Sequence, residues 1–99
     1  MKMTFIISND YFIDRVMQLL KDNDIDYYTS WEHAKGKGRG TEPHLGSGIY
    51  GSTNAVFMIA FEDEAVLERL IQAIIAANQE IKRAADRIRL FQMPLERIV

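Results

Sequence analysis

All six glycines of this 99-residue chain lie between Gly36 and Gly51. Conformational freedom is therefore concentrated in one connection, residues 35–53, and regular elements are predicted on both sides of it. Two strands can be joined by only 2–5 residues, so about nineteen residues without a strand or helix pattern are typical of a functional loop. The alternative is a tolerated, disordered insertion.

Before this connection the sequence predicts a strand, a helix and a second strand. Residues 3–8 are rich in β-forming side chains and are followed by Asn9 and Asp10, which are typical N-cap residues. Apolar side chains then recur at helical spacing over residues 11–22. Residues 25–32 alternate, which predicts a strand with Ile25, Tyr27, Thr29 and Trp31 on one face.

After the connection the same three elements are predicted again. Residues 55–61 are a continuous apolar run of strand length, and the acidic residues 62–64 favour a helix N-terminus directly after it. Residues 79–87 are charged and fit no element, whereas residues 88–93 predict a last strand that Pro94 ends. The apolar stripe of the second helix consists of Val66, Leu67, Leu70, Ile71, Ile74 and Ile75.

This order predicts an α+β, ferredoxin-like βαββαβ domain that spans residues 1–99. Two helices would cover one face of a four-stranded antiparallel sheet, and the long loop would join strands 2 and 3. Alternate residues of the third strand project to opposite faces of the sheet, and both sets are apolar. Since the helices cover only one face, the other would be an exposed apolar surface. We therefore expect self-association through this face.

Composition excludes several classes of protein. Hydrophobic residues make up 47% and charged residues 26% of the chain, as in ordinary globular proteins. The absence of cysteine excludes disulfides and thiolate chemistry. No signal-peptide pattern and no membrane-spanning run is present, which predicts a cytoplasmic protein without direct membrane insertion.

The chemistry of the first half of the loop favours an anion. Lys35, Lys37 and Arg39 alternate with Gly36 and Gly38. Such glycines allow positive φ and let successive backbone N–H groups point towards one anion, while the cations supply charge. The residues match neither a Walker A loop nor Gly-x-Gly-x-x-Gly.

Two stretches resemble the PII signal-transduction family, which belongs to the nitrogen regulatory PII superfamily. Residues 29–39, Thr-Ser-Trp-Glu-His-Ala-Lys-Gly-Lys-Gly-Arg, resemble the stretch that leads to Gly-x-Gly-Arg at the base of the family's T-loop. Residues 90–96, Leu-Phe-Gln-Met-Pro-Leu-Glu, are similar to its last strand, which ends in a proline and acidic residues. Residues 35–53 would then be the T-loop.

The resemblance implies a divergent PII-like homotrimer that regulates a target and is not an enzyme. The family binds ATP, ADP or a related adenine nucleotide such as AMP as an effector in clefts between subunits, without an obligatory cofactor. Gly36, Gly38 and Arg39 match its phosphate-side residues, and Ser30 matches a base-contacting Ser or Thr. The loop would dock onto a transporter or an enzyme, with contacts expected from Thr41, Glu42, His44, Ile49 and Tyr50.

The chain also departs from the family pattern. Gly40 replaces the glutamine that follows Gly-x-Gly-Arg in classical members, and the family's glycine-rich loop before the last strand is replaced by residues 78–87. The cations that could supply the missing phosphate charge are Lys82, Arg83, Arg87 and Arg89. Residues 35–54 and residues 79–99 each carry a net charge of +2, and the open question is whether the fold brings them together.

Other functions have weaker signals. His33 and His44, beside Glu32 and Glu42, are alternative metal ligands, as in a metal-binding or metal-sensing trimer that resembles CutA. No nucleophile-elbow pattern is present, and the acidic residues near Asp10 are explained as helix caps. The RNP signature of RNA-binding sheets is not met, so no nucleic-acid partner is expected.

Overall fold

The computed structural model describes residues 1–38, 46 and 53–99. Short 3-10 turns occupy Asp10–Phe12 and Ala84–Asp86. The strands and helices, in chain order, are β1 (Lys2–Asn9), α1 (Ile13–Asp22), β2 (Thr29–Ala34), β3 (Asn54–Phe61), α2 (Glu64–Asn78) and β4 (Arg89–Pro94).

Side-chain caps begin both helical segments where the sequence predicts them. The side-chain oxygen of Asn9 accepts a hydrogen bond from the backbone N–H of Tyr11 at 3.0 Å, at the turn that leads into α1. The carboxylate of Asp63 accepts a hydrogen bond from the N–H of Ala65 at 2.9 Å, at the start of α2. These contacts satisfy N–H groups that a helix itself leaves without partners.

The sheet has the predicted ferredoxin-like arrangement. Its strand order is β2-β3-β1-β4, and every neighbouring pair is antiparallel. In the middle of the sheet, Ile6 of β1 lies opposite Phe57 of β3 and Leu90 of β4. Since opposite residues of an antiparallel pair project to the same side, this register defines the two faces of the sheet.

Both helices pack on one face, called here the covered face. The buried positions of β1 and β3 on this face are opposite each other in the register. They form one apolar core with the buried side chains of α1 and α2. The core consists of Ile6, Val16, Leu20, Ile25, Ala55, Phe57, Ile59, Phe61, Leu67, Leu70, Ile74 and Ile88.

The other face, called here the open face, is also apolar, but neither of the two helices in the described part of the chain packs on it. Phe5 of β1 lies opposite Met58 of β3 and Phe91 of β4, and 49% of Phe91 is exposed. Trp31 of β2 lies opposite Val56 and is 45% exposed. Other apolar residues on this face are Met3, Ile7, Ala60 and Met93, and the polar residues Thr29 and Arg89 also project to it.

Strand β2 differs from the prediction. Pairing begins at Thr29 rather than at residue 25, because the N–H of Ile25 donates to the carbonyl of Leu20 at 2.9 Å and is unavailable to the sheet. Ile25 is buried in the core, whereas Trp31 projects to the open face, so the four alternating residues do not share one face. Asp24, with φ of 57°, makes the turn that redirects the chain.

Within residues 1–38, 46 and 53–99, no helix has both the length and the apolar character required to cross a membrane.

Candidate ligand site

The fold brings the two basic segments to the same end of the sheet, called here the loop end. Ala34, directly before Lys35, lies opposite Asn54, which in turn lies opposite Asn9 at the end of β1. Asn9 donates a hydrogen bond from Nδ2 to Oδ1 of Asp86 at 3.1 Å. The backbone near Asp86 therefore lies at the end of the sheet from which the long connection leaves.

The two segments nevertheless lie at opposite edges. Lys35 to Gly38 follow β2, whereas Arg87 and Arg89 lie at the start of β4, and β2 and β4 are the two edge strands. Three inter-strand spacings of about 4.8 Å each, roughly 14 Å in total, separate these edges. One small anion cannot be contacted by both backbones within a single copy of the chain.

Ser30 lies on β2 opposite Phe57, at the exposed edge of the covered face. Lys35 and Lys37 lie in the part of the connection that follows β2. The remaining predicted loop residues lie outside the residues that the structure describes. These are Arg39, Thr41, Glu42, His44, Ile49 and Tyr50.

A β-bulge shapes the point where the chain leaves β2. Trp31 lies opposite Val56 and Ala34 opposite Asn54, so β2 has one more residue than β3 in this interval. His33 lies within this bulge and has a φ of 60°. This is a left-handed conformation that histidine adopts more readily than most residues. The bulge turns the imidazole towards the first residues that follow β1.

Asp10, His33 and Thr53 form a polar cluster at this point. The Nδ1 atom of His33 lies 3.4 Å from Oδ2 of Asp10 and 3.5 Å from Oγ1 of Thr53. The Thr53 hydroxyl donates to Oδ2 of Asp10, and the N–H of Asp10 donates to the carbonyl of Thr53 at 3.0 Å. The cluster therefore ties both ends of the connection to the end of β1.

Asp10 and Thr53 were missed by sequence reasoning as parts of the site. Asp10 was interpreted as a helix cap, but its carboxylate bonds to Thr53, forty-three residues away in the sequence. Its other oxygen, Oδ1, is buried and has no hydrogen-bond partner in the described part of the chain. No local pattern signals a contact over this separation.

Gly36 does not have the positive φ that the sequence pattern allows. A Cβ on Gly36 would lie 2.7 Å from Nδ2 of Asn54, so a larger residue at this position would force the Asn54 amide to move. Positive φ is found at Gly46, at 77°. The predicted anion site at Gly36 and Gly38 therefore does not begin with a left-handed glycine.

The basic segment before β4 is held by a side chain of α2. Asn78 donates to the carbonyl of Ile88 and accepts from its N–H, both at 2.8 Å, as a neighbouring strand would. Arg87 donates from Nε to the carbonyl of Ile81 at 3.3 Å, and Nε of Arg83 lies 3.7 Å from Oδ2 of Asp86. Arg89 lies opposite Ile7, on the open face.

The metal-site alternative is not assembled by the described residues. Among residues 1–38, 46 and 53–99, no group of three or more His, Asp or Glu side chains is arranged to hold a metal ion. His33 has Asp10 beside it, and the second candidate ligand, His44, lies outside the described residues.

No protein-family model and no curated protein matches the sequence. Solved structures do match the fold. A structure of CPII from Thiomonas intermedia K12, bound to ADP and bicarbonate, has a TM-score of 0.67 and 16% sequence identity, covering 97% of this chain and 88% of CPII. A second structure of CPII, a nitrogen regulatory PII-like protein from the same organism, is bound to ADP, AMP and bicarbonate. It has a TM-score of 0.60 and 16% identity, covering 99% of this chain and 94% of its own. The protein therefore has the ferredoxin-like fold of the PII-like proteins, as the resemblance of its loop and last strand implies.

Proposed function

We propose that the protein is a homotrimeric PII-like regulator that binds an adenine nucleotide in clefts between subunits. The bound nucleotide would control how the 35–53 connection docks onto a target, such as a transporter or an enzyme. The protein binds and signals in this proposal, and it catalyses no reaction.

The observation that carries the proposal is the position of the two basic segments at one end of the sheet but on opposite edges. In the proposed cleft the β2 edge of one copy lies beside the β4 edge of another, so that one phosphate group can be contacted by Lys35 or Arg39 from the first copy and by Arg87 from the second. The boundary between these two edges is called here the seam. CPII, which shares the fold, is bound to ADP, and this supports an adenine nucleotide as the ligand.

The open face supports the assembly. Phe91, Met93 and Trp31 are each more than two-fifths exposed, although they lie on one continuous apolar surface of the sheet. Burying such a surface stabilises association by about 25 cal/mol for each Å² removed from water. Cyclic assembly around this face would also set the sheet edges of neighbouring copies side by side.

The proposed mechanism depends on the polar cluster at the point where the connection leaves the sheet. Because Asp10, His33 and Thr53 join the two ends of the connection, a ligand at Gly36 to Arg39 acts close to both ends. If the connection has more than one arrangement at these ends, a nucleotide that binds one of them more tightly increases its population. The target would then bind only the selected form of the loop.

Subunit mixing tests the proposal. Arg39→Ala removes a cation from the β2 side of each cleft, and Arg87→Ala removes one from the β4 side. Calorimetry with ATP, ADP and AMP should show about ten- to hundredfold weaker binding to each variant, since a hydrogen bond to a charged group is worth about 1.5–3 kcal/mol. Arg69→Ala, an exposed arginine on α2, is the matched control and should bind as the parent chain does.

Trimers refolded from a mixture of the two variants should recover binding. Each mixed ring has one seam in which an unaltered β2 edge meets an unaltered β4 edge, so one cleft in three regains the parental affinity. Recovery in the mixture supports a cleft shared by two copies. Unchanged affinity in both variants, or no recovery from mixed trimers, contradicts the proposed site, and tighter binding of zinc or copper than of any nucleotide favours the metal alternative.

A further inference from the structure

A groove lies at the end of the sheet opposite the loop end. It is open to solvent, runs between the C-terminal half of α1 and residues 24–28, which lead into β2, and has a volume of about 510 Å³. Met17, Leu20 and Ile25 form an apolar floor. Lys21, Asp24 and Asp26 form the rim, which therefore has a net negative charge.

The rim carboxylates are available to a partner. Asp24 and Asp26 are exposed, and neither makes an ion pair with any residue that the structure describes. Further carboxylates lie near the adjacent Tyr27, because its pKa is raised by burial and then by Asp63, Asp26 and Glu62. A segment that combines one cation with an apolar side chain would complement both the rim and the floor.

The chain itself contains such a segment at the same end of the molecule. After β4, the N–H of Leu95 donates to the carbonyl of Met1 at 3.1 Å, and residues 96–99 continue without regular structure. Arg97 supplies a cation next to Ile98, and 57% of Ile98 is exposed. This segment, residues 95–99, is called here the tail.

Within one copy the tail and the groove lie at opposite edges of the sheet, since the tail follows β4 and the groove precedes β2. The seam of the proposed function brings these two edges together in neighbouring copies. If the seam aligns the loop ends of β2 and β4, the same alignment places the tail of one copy beside the groove of the next.

We propose that the tail of each copy occupies the α1–β2 groove of its neighbour, with Ile98 on the apolar floor and Arg97 beside Asp24 and Asp26. The inference rests on the proposed function because it uses the same seam. It adds a second contact, distant from the nucleotide, that holds neighbouring copies together whether or not ligand is bound.

Cysteine pairing tests this contact without background, because the chain has no cysteine. Tyr28 lines the groove, so the variant Tyr28→Cys/Ile98→Cys should form disulfides between copies under mild oxidation. Non-reducing gels should then show covalent dimers and trimers. The matched control, Tyr11→Cys/Ile98→Cys, uses a side chain that is 83% exposed at the loop end and should remain monomeric on the gel.

Charge exchange gives a second test that does not depend on disulfide geometry. In the cysteine-pair variant, Asp26→Lys should slow cross-linking about two- to fivefold, which is the effect of one exposed ion pair. Adding Arg97→Glu should restore the rate, because the pair is reformed with its charges reversed.

Light scattering of the parent chain separates the two proposals. A monomer contradicts the proposed function, and with it the seam. A trimer whose cysteine pair gives no covalent dimers, or only a disulfide within one copy, contradicts the tail-in-groove contact and leaves the nucleotide cleft intact. Equal cross-linking by the Tyr11 control also contradicts it, because the reaction would then be unspecific.

Discussion

The two faces of the sheet are made of similar residues but have different surroundings. On β3, Phe57 and Ile59 project to the covered face and are at most 2% exposed. Val56 and Met58 alternate with them and project to the open face, which includes the half-exposed Phe91. Side chains of comparable apolarity are thus covered by helices on one side, whereas no helix among the described residues covers them on the other.

The apolar pattern of a strand therefore shows which side chains should be buried. It does not show whether a helix of the same chain or a second copy buries them. The covered face is satisfied within the chain, so its residues determine whether the monomer folds. The open face is left to association, so its residues should determine whether copies assemble. Substitutions on the two faces should therefore have separable effects.

The largest effect is expected from Phe57→Ala, compared with Phe91→Ala. Removing the buried ring should lower the free energy of unfolding by about 3–5 kcal/mol, whereas Phe91→Ala should cost the isolated chain about 1 kcal/mol or less. Urea unfolding over a series of protein concentrations measures both. The loss from Phe57→Ala should persist on dilution, and that from Phe91→Ala should shrink as copies dissociate. Equal losses at every dilution would mean that the two faces do not differ.

The open face is tested directly by Phe91→Glu. A carboxylate placed opposite Phe5 would have to lose its hydration in any contact between sheets, which costs several kcal/mol. We expect light scattering to show a single chain, with the far-ultraviolet circular dichroism of the parent. Tyr11→Glu, on a more exposed ring away from this face, is the control and should leave assembly unchanged. Persistence of the trimer in Phe91→Glu would place the interface elsewhere.

A smaller effect is expected at the loop end of the open face. Asn54 is buried there, although it projects from β3 to the same face as Val56 and Met58. Gly36→Ala would place a methyl group 2.7 Å from the Asn54 amide, so one segment must shift, at a cost of about 1–3 kcal/mol. The double variant Gly36→Ala/Asn54→Ala should lose less than the sum of the single changes in urea unfolding. Strict additivity would show that the close approach is not what requires glycine.

The smallest effect concerns Tyr27, whose ring lies edge-on to Phe61 at the margin of the covered face, with centroids 6.1 Å apart. Burial first, and then the carboxylates of Asp63, Asp26 and Glu62, raise the pKa of Tyr27 above its ordinary value. The folded chain thus favours the neutral phenol. This stabilisation is fully present below pH of about 10 and is lost as pH rises through the raised pKa.

Tyr27→Phe should therefore reduce the loss of stability on raising the pH above about 10, as measured by urea unfolding across that range. Absorbance titration of the phenolates should show one late-ionising group fewer in this variant than in the parent chain. An unchanged alkaline titration would show that Tyr27 is not the residue with the raised pKa.

The sequence predicted much of the fold and less of the candidate site. The helices, strands and caps at Asn9 and Asp63 were predicted closely, because each depends on neighbours within a few residues. Strand β2 was placed four residues too early, because the N–H of Ile25 bonds back to Leu20 rather than to the sheet. The alternation of apolar residues could not reveal this competition.

The candidate site depends on contacts over long separations in the chain. Only the sheet register brings the contacting segments together. Thr53 bonds to Asp10, Gly36 lies close to Asn54, and His33 has a left-handed φ where the β-bulge occurs. The basic residues were identified from their alternation with glycines in the connection and from the resemblance to the PII family. Their placement at one end of the sheet, but on opposite edges, required the strand order.

By itself, the sequence determined the order of elements, the apolar stripes and the position of the long glycine-rich connection, because periodicity and turn chemistry are local properties. The tertiary structure alone decided which face of the sheet the helices cover and which residues meet at the loop end. Those outcomes depend on the crossing of helices over the sheet and on strand pairing between distant segments, which no local pattern specifies.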